Sequence, residues 1–304
     1  MPGIFGSGIV TSDVVYRTFC AAAAGVALVC SAGIAAARGQ AQRPLEVSVA
    51  PSTLQPGDVA RIDVTGTAEQ PITGSVLERE LAFHFDRLNG KWRALMGVDL
   101  DTGPGEYQLR IQSDAGAAVH TIQVVAKQFR IRRLRVPGGF VNPPPDALDQ
   151  IARDRAALDE ALALVSARMW SGPFVLPVEG RASSNFGARS YYNGEPRAPH
   201  AGVDFAVAAG TPIRAANRGR VILAASMYFT GNTIVIDYGD RLFSIFAHLS
   251  EFRVKAGDAV EPGTIVGLVG ATGRVTGPHL HWSVRLHDAR VDPLSLIAAT
   301  ASAK

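Results

Sequence analysis

Two histidines one residue apart, His279 and His281, stand in "TGPHLHWSV", residues 276–284. Residues i and i+2 of a strand share a face, so both imidazoles project together while Leu280 and Trp282 point the other way. Val284 and Leu286 continue the strand pattern. Each imidazole brings a donor and an acceptor that need partners, and imidazole is the commonest metal ligand. By itself the pair fits either a metal or catalytic role or a half-exposed strand face.

Partners for the pair lie upstream. "PHAGVDFAVAAGTPIRA", residues 199–215, supplies His200 and Asp204. Gly202, the β-branched Val203 and the Ala-Gly-Thr-Pro ending argue against a helix there. In a straight strand four residues span ~13 Å, too far for both side chains to reach one ion, so a bend at Gly202 is expected. "LFSIFAHLS" adds His248 at the end of an apolar strand, and five of the seven histidines then lie between His200 and His287. Zinc in hydrolases takes three protein ligands and keeps a position for water. His200, Asp204 and one histidine of the pair meet that need. His248 and the other histidine are left to move protons or to stabilise developing charge.

The rest of the chain narrows the chemistry. Its 304 residues, 47% hydrophobic and 19% charged, suffice for two domains with real cores. A net charge of +3 without a dense Lys/Arg tract does not favour nucleic acid as a partner. Arg17 precedes the uncharged run "TFCAAAAGVALVCSAGIAAA", the layout of a secretory signal peptide expected to occupy residues 1–41. The competing reading is a single retained membrane anchor, for which the Ala and Gly content is poor. Cys20 and Cys30 both lie in that run, so the processed chain has no cysteine. Cysteine-hydrolase chemistry and cysteine-built zinc sites are excluded, and any metal must be held by His, Asp or Glu.

Short alternating runs, "LEVSVAP", "DVARIDVTG", "GEYQLRIQS" and "HTIQVVAK", predict a small β-sandwich over residues 42–127. The basic stretch "FRIRRLRVPGGFVNPPP" reads as an extended linker with a solvated face, followed by a helix from Pro145 to about Arg168 bracing one domain on the other. Together these occupy residues 128–169. From residue 170 to 304 strands return, including "GPFVLPVEG", and "VKAGDAVEPGTIVGLVG" reads as a β-hairpin. Tyr191, Tyr192 and Asn193 are either groove-lining or exposed loop residues. His287 is expected at the surface.

With these pieces in place the sequence resembles the lysostaphin-type zinc metalloendopeptidases, the LytM-like cell-wall hydrolases. The resemblance rests on "SSNFGARS", "PHAGVDFAVAAGTPIRA", "GNTIVIDYG", "FAHLS", "VKAGDAVEPG", "VGATGRVTGPHLHWSV" and "VDPL", in the family's order over about residues 178–297. It implies a mainly β protein: an N-terminal Ig-like β-sandwich, a linking helix, and a compact antiparallel β catalytic domain of the duplicated hybrid motif type. It assigns Zn2+ to His200, Asp204 and His281, and catalysis to His248 and His279. It implies an exported, periplasmic enzyme that hydrolyses peptide crosslinks of peptidoglycan, D-alanyl to meso-diaminopimelate, with no membrane span after processing. The alternative is a non-enzymatic LytM-like regulator of a cell-wall amidase, and a regulatory partner in the envelope fits either reading. Since every expected ligand lies beyond residue 178, the N-terminal part is expected to be dispensable for the chemistry.

Overall fold

A computed structural model describes residues 44–301 except 68, 115, 137, 139–141 and 184. The expected signal peptide, with Cys20 and Cys30, lies outside the described residues. Among the described residues no helix is long and apolar enough to cross a membrane.

The alternating runs of the N-terminal part form two sheets over one core. Glu46–Ala50, Val59–Thr65, Lys91–Gly97 and His84–Asp86 pair in that order, antiparallel. The second sheet runs Thr53–Leu54, Gly116–Val124, Gly105–Ser113, Ile72–Val76, Arg79–Glu80. Ile62, Val64 and Met96 from the first sheet meet Leu109, Ile111 and Ile122 from the second, all buried. The period-two pattern of apolar residues is what lets each strand bury one face.

The C-terminal part is a nine-stranded sheet whose central path is Gly202–Phe205, Leu280–Leu286, Leu242–Phe252, Gly231–Asp237, Gly219–Met227, Ala259–Val260. Trp282, Phe246, Leu280 and Phe205 are fully buried on its core side. "VKAGDAVEPGTIVGLVG" is not a hairpin. Ala259–Val260 pairs with Gly219–Met227, whereas Ile265–Val269 pairs with Pro212–Arg214 and Leu242–Phe252. The turns expected at Gly257 and Gly263 exist with positive φ, but Ala215 exchanges backbone hydrogen bonds with Gly263 and Thr264 and diverts the chain. "GPFVLPVEG" forms no strand. Pro173 and Pro177 interrupt it, and its backbone bonds singly to Ala216 and Arg214.

Helix α1 covers Leu148–Leu162 and ends short of the expected Arg168. Beyond it the chain is claimed by a loop: Asp240 N–H bonds to Ser166 O, and Ser166 Oγ donates to Asp237 at 2.6 Å. Leu158 and Leu162 of α1 pack on Val235, Phe243 and Ile245, the outer face of the C-terminal sheet. The bracing assigned to this helix falls elsewhere. Arg290 clamps Asp99 through three hydrogen bonds and reaches Asp101 at 2.7 Å. Burial works to raise the Asp99 carboxyl, but Arg290 outweighs it and brings the pKa down to about 2. Helix α2, Pro293–Thr300, is capped by Asp292, and its Ser295 hydroxyl accepts from Val59 N–H at 2.8 Å. Val59, Leu95 and Leu100 belong to the core under the C-terminal sheet, so packing is continuous across the expected domain boundary.

Candidate metal centre

Gly202–Phe205 runs antiparallel to the start of Leu280–Leu286, with Asp204 opposite His281 and Gly202 opposite Ser283. His200 lies just before that strand, held by its own N–H to Ala188 O at 3.0 Å and by its carbonyl to Gly187 N–H at 2.7 Å. Because His200 sits outside the ladder, four residues need not span a full strand length. Gly202 is required for a different reason from the one expected. Its φ is ordinary, but a Cβ there would lie 2.5 Å from Trp282 O and 2.8 Å from the His281 ring. The missing side chain lets the two strands close with the imidazole between them.

Three atoms converge. His200 Nε2 is 3.1 Å from Asp204 Oδ1 and 3.0 Å from His281 Nδ1, and His281 Nδ1 is 2.9 Å from Asp204 Oδ1. All three side chains are partly buried. One proton can satisfy two such atoms, whereas one cation satisfies all three, so the donor set of two imidazoles and a carboxylate suits a divalent metal. Burial works to raise the Asp204 carboxyl, yet the His200 and His281 rings against it hold it well below the usual carboxylate range. Burial pushes the His281 imidazole down, which keeps it neutral and fit to ligate.

The two remaining histidines face the same place. The His248 ring centroid lies 4.8 Å from that of His279 and 6.1 Å from that of His281. His279 Nε2 is 3.9 Å from Asp204 Oδ1. His248 was expected at a strand end, but it lies inside Leu242–Phe252. Ala247 and His248 together oppose Thr233, between the pairs Asn232 with Leu249 and Ile234 with Phe246. That extra residue is a β-bulge, and His248 takes φ 68° within it. The bulge swings the imidazole off the strand's alternation and towards His279. Burial pushes its pKa down to about 4, so it is neutral at neutral pH.

Every one of the four imidazoles spends one nitrogen on an oxygen. His200 Nδ1 faces Asn185 O at 3.2 Å and His281 Nε2 faces Ser283 Oγ at 2.7 Å. His248 Nδ1 faces Thr272 O at 3.0 Å, and His279 Nδ1 faces Gly277 O at 2.9 Å. For His200, His248 and His279 the partner is a carbonyl oxygen, which only accepts, so that nitrogen carries the proton and the other ring nitrogen keeps its lone pair; the Ser283 hydroxyl is able to accept from His281 in the same way. Asn185 also donates to Asp204 Oδ2 at 2.8 Å, while Ser183 bonds both to Asn185 and to the Asp204 N–H. All of these supporting residues stood in stretches quoted from the sequence, but none was assigned a supporting role there. Ser283 and Thr272 carried no local signal, because a lone hydroxyl residue in a strand or loop is commonplace.

His287 corrects an expectation. It is 6% exposed rather than on the surface, in the turn after Leu280–Leu286, with its N–H bonded to Arg241 O at 3.0 Å. Tyr191 and Tyr192 are not in an exposed loop. They belong to strand Arg189–Tyr192, where Arg133 lies 5.2 Å over the Tyr191 ring and Arg197 5.7 Å over Tyr192.

Comparison with known proteins finds relatives of the region that carries these residues. The model of peptidase family M23 matches residues 198–293, which span His200 to His281 and beyond. Peptidoglycan DD-endopeptidase ShyA of Vibrio cholerae is 43% identical over 105 residues, 34% of this chain and 24% of that protein. DD-carboxypeptidase/endopeptidase Mpg of Neisseria meningitidis is 37% identical over 120 residues, 40% of this chain and 28% of that protein. The chain thus spans about a quarter of the length of these curated relatives. A crystal structure of an M23 peptidase from Pseudomonas aeruginosa reaches further, at 36% identity and a TM-score of 0.64, covering 80% of this chain and 95% of that one. Identity of that order along almost the whole of a solved relative settles the affiliation, and this chain belongs to peptidase family M23.

Proposed function

We propose that the protein is an exported zinc-dependent endopeptidase that hydrolyses peptide crosslinks of peptidoglycan, at the D-alanyl to meso-diaminopimelate bond. The observation that carries it is the convergence of His200, Asp204 and His281 beside two further imidazoles that each keep a free nitrogen. The DD-endopeptidase relatives support the substrate class.

His200 Nε2, Asp204 Oδ1 and His281 Nδ1 would hold the zinc. When bound, such an ion acidifies a water towards pKa ~7 and polarises a carbonyl. His248 and His279 then act as bases and donors: one takes the proton of the attacking water and the pair returns it to the leaving amine. Their N–H forms also stabilise charge on the carbonyl oxygen. The bulge at His248 and the acceptor at Gly277 O fix both rings, so little reorganisation is needed at the moment of reaction.

Digestion of purified sacculi with the processed protein, followed by mass analysis of released muropeptides, tests the reading. Crosslinked dimers should fall to monomers, chelation should stop the reaction, and added zinc should restore it. A protein that binds zinc tightly but leaves the dimers intact would instead support an amidase-regulating role.

A further inference from the structure

The basic linker does more than connect. Phe129 packs into the C-terminal core, and its ring fills the space above Gly187, whose φ is 77°. Arg130 O accepts from Arg189 N–H at 2.8 Å, and Ile131–Leu134 then pairs in parallel with Arg189–Tyr192. Alternation along this strand sends Arg133 to one side, where it covers Tyr191, and Arg130 and Arg132 to the other. On that other side lies a cavity of about 450 Å³, bounded by Arg130, Arg132, Arg181, Asn185 and Asp204. The linker presents the solvated face expected of it, with every residue of Ile131–Leu134 exposed, and it also bounds the cavity that reaches Asp204.

The charges in this cavity do not balance. Two nearby arginines have carboxylate partners, Arg189 with Asp101 at 2.8 Å and Arg197 with Glu195 at 2.8 Å. Arg130, Arg132 and Arg181 take part in no ion pair among the described residues, and the carboxylate they share space with, Asp204, is already engaged by His200, His281 and Asn185. Three guanidinium groups therefore surround a space with no free anion of the protein's own. A guanidinium fork matches a carboxylate bidentately, which gives orientation as well as attraction.

We infer that Arg130, Arg132 and Arg181 form a carboxylate-binding subsite, and that it takes the free carboxylate on the diaminopimelate carbon bonded to the scissile nitrogen. This inference rests on the peptidoglycan reading above. A D-alanyl–diaminopimelate crosslink carries a carboxylate on the carbon next to the scissile amide nitrogen, whereas a link to a bridge glycine that continues as peptide carries none there. The arginine wall thus gives the enzyme a means of telling the two bridges apart, by rewarding the negative charge. It also makes the linker part of the substrate site, although it supplies no metal ligand.

The test uses two synthetic crosslinked peptide dimers, fluorescently labelled, differing only in whether that carboxylate is free or amidated. Wild-type zinc enzyme and the triple variant Arg130→Gln, Arg132→Gln, Arg181→Gln are compared, with zinc content and melting temperature measured for both. The wild type should cleave the free form roughly 10- to 100-fold better in kcat/KM, a range set by charged hydrogen bonds in an exposed, screened site. The triple variant should lose that preference by slowing on the free form alone, with kcat/KM on the amidated form and zinc content unchanged. Added salt should erode the wild-type preference. If the wild type cleaves both forms equally, or the triple variant keeps the preference, the subsite is overturned and the peptidase reading stands. If the wild type cleaves neither, the peptidase reading falls, and anisotropy of the same dimers decides the subsite. Tighter binding of the free form that depends on the three arginines then upholds it, and equal binding overturns it.

Discussion

His281 and His287 lie near the start and just past the end of one strand, the first partly buried and the second buried. Their surroundings differ in kind. His281 gives one nitrogen to Ser283 Oγ and turns the other on Asp204 and His200. Both nitrogens of His287 are buried without a hydrogen-bond partner. Burial lowers the pKa of each. A depressed pKa is therefore no mark of a functional histidine in this protein. What separates the centre from the turn is an oxygen behind each ring, which fixes the tautomer and leaves a lone pair aimed at a shared point.

The comparison breaks most completely at the ligand itself. His281→Ala should abolish tight zinc binding and with it all cleavage, because His200 and Asp204 alone are too small a set to hold the ion. His279→Ala and His248→Ala should keep near-normal zinc and lose about 10²–10⁴-fold in turnover, the usual span of general acid–base catalysis. If the two serve one proton path, the double variant will be far less than additive on a logarithmic scale. Metal content by mass spectrometry beside muropeptide cleavage reads both. A His279→Ala protein without zinc would mean that the two histidines of the pair have been given each other's roles.

The residue types and spacings that announced the centre were legible because each lay in a short local pattern. His279 and His281 followed strand alternation, and His200 and Asp204 came with a glycine between them. What escaped was set by pairing at long range. The bulge that aims His248 exists only in the register against Gly231–Asp237. The parallel pairing of Ile131–Leu134 with Arg189–Tyr192 joins distant segments, so the linker's exposure could be read but its partner strand could not. Ala259–Val260 and Ile265–Val269 have good hairpin chemistry between them and nonetheless find other partners in the sheet. In the N-terminal part the alternation was enough for Val59–Thr65 and Gly105–Ser113. It was not enough for Lys91–Gly97, whose last four residues are buried on both faces and so lose the period.

The turn histidine supplies the next test. Burial brings the His287 pKa from 6.5 to about 4, with Asp240 and Asp288 working against that and Arg241 and Arg79 adding to it. The native state therefore binds fewer protons than the unfolded one. The stability this gives is whole above pH 6.5 and is lost as the pH falls towards 4, up to about 3 kcal/mol in all. His287→Asn tolerates the φ of 47° and does not titrate. Its unfolding free energy, from urea melts across that window, should fall less steeply than the wild type's, with His248 titrating in both proteins and cancelling. Identical slopes would show that His287 is not protonation-linked to folding.

The smallest effect should come from the oxygen behind the ligand. Ser283 Oγ lies 2.7 Å from His281 Nε2, and an N–H donated to it there leaves the lone pair on Nδ1, the nitrogen that faces Asp204. Ser283→Ala removes the acceptor without removing a ligand, and losses of about 10- to 100-fold in metal affinity are typical for such partners. Saturated with zinc, the variant should cleave nearly as fast as the wild type, since His248 and His279 keep their own acceptors at Thr272 O and Gly277 O. Competition with a chelator of known affinity separates the two quantities. Unchanged affinity would mean that strand pairing with Gly202–Phe205 alone holds the His281 ring, and that the contrast with His287 lies in the neighbours in front of the imidazole rather than in the oxygen behind it. A fall in turnover at full zinc occupancy would mean that Ser283 also tunes the bound ion through the His281 ring.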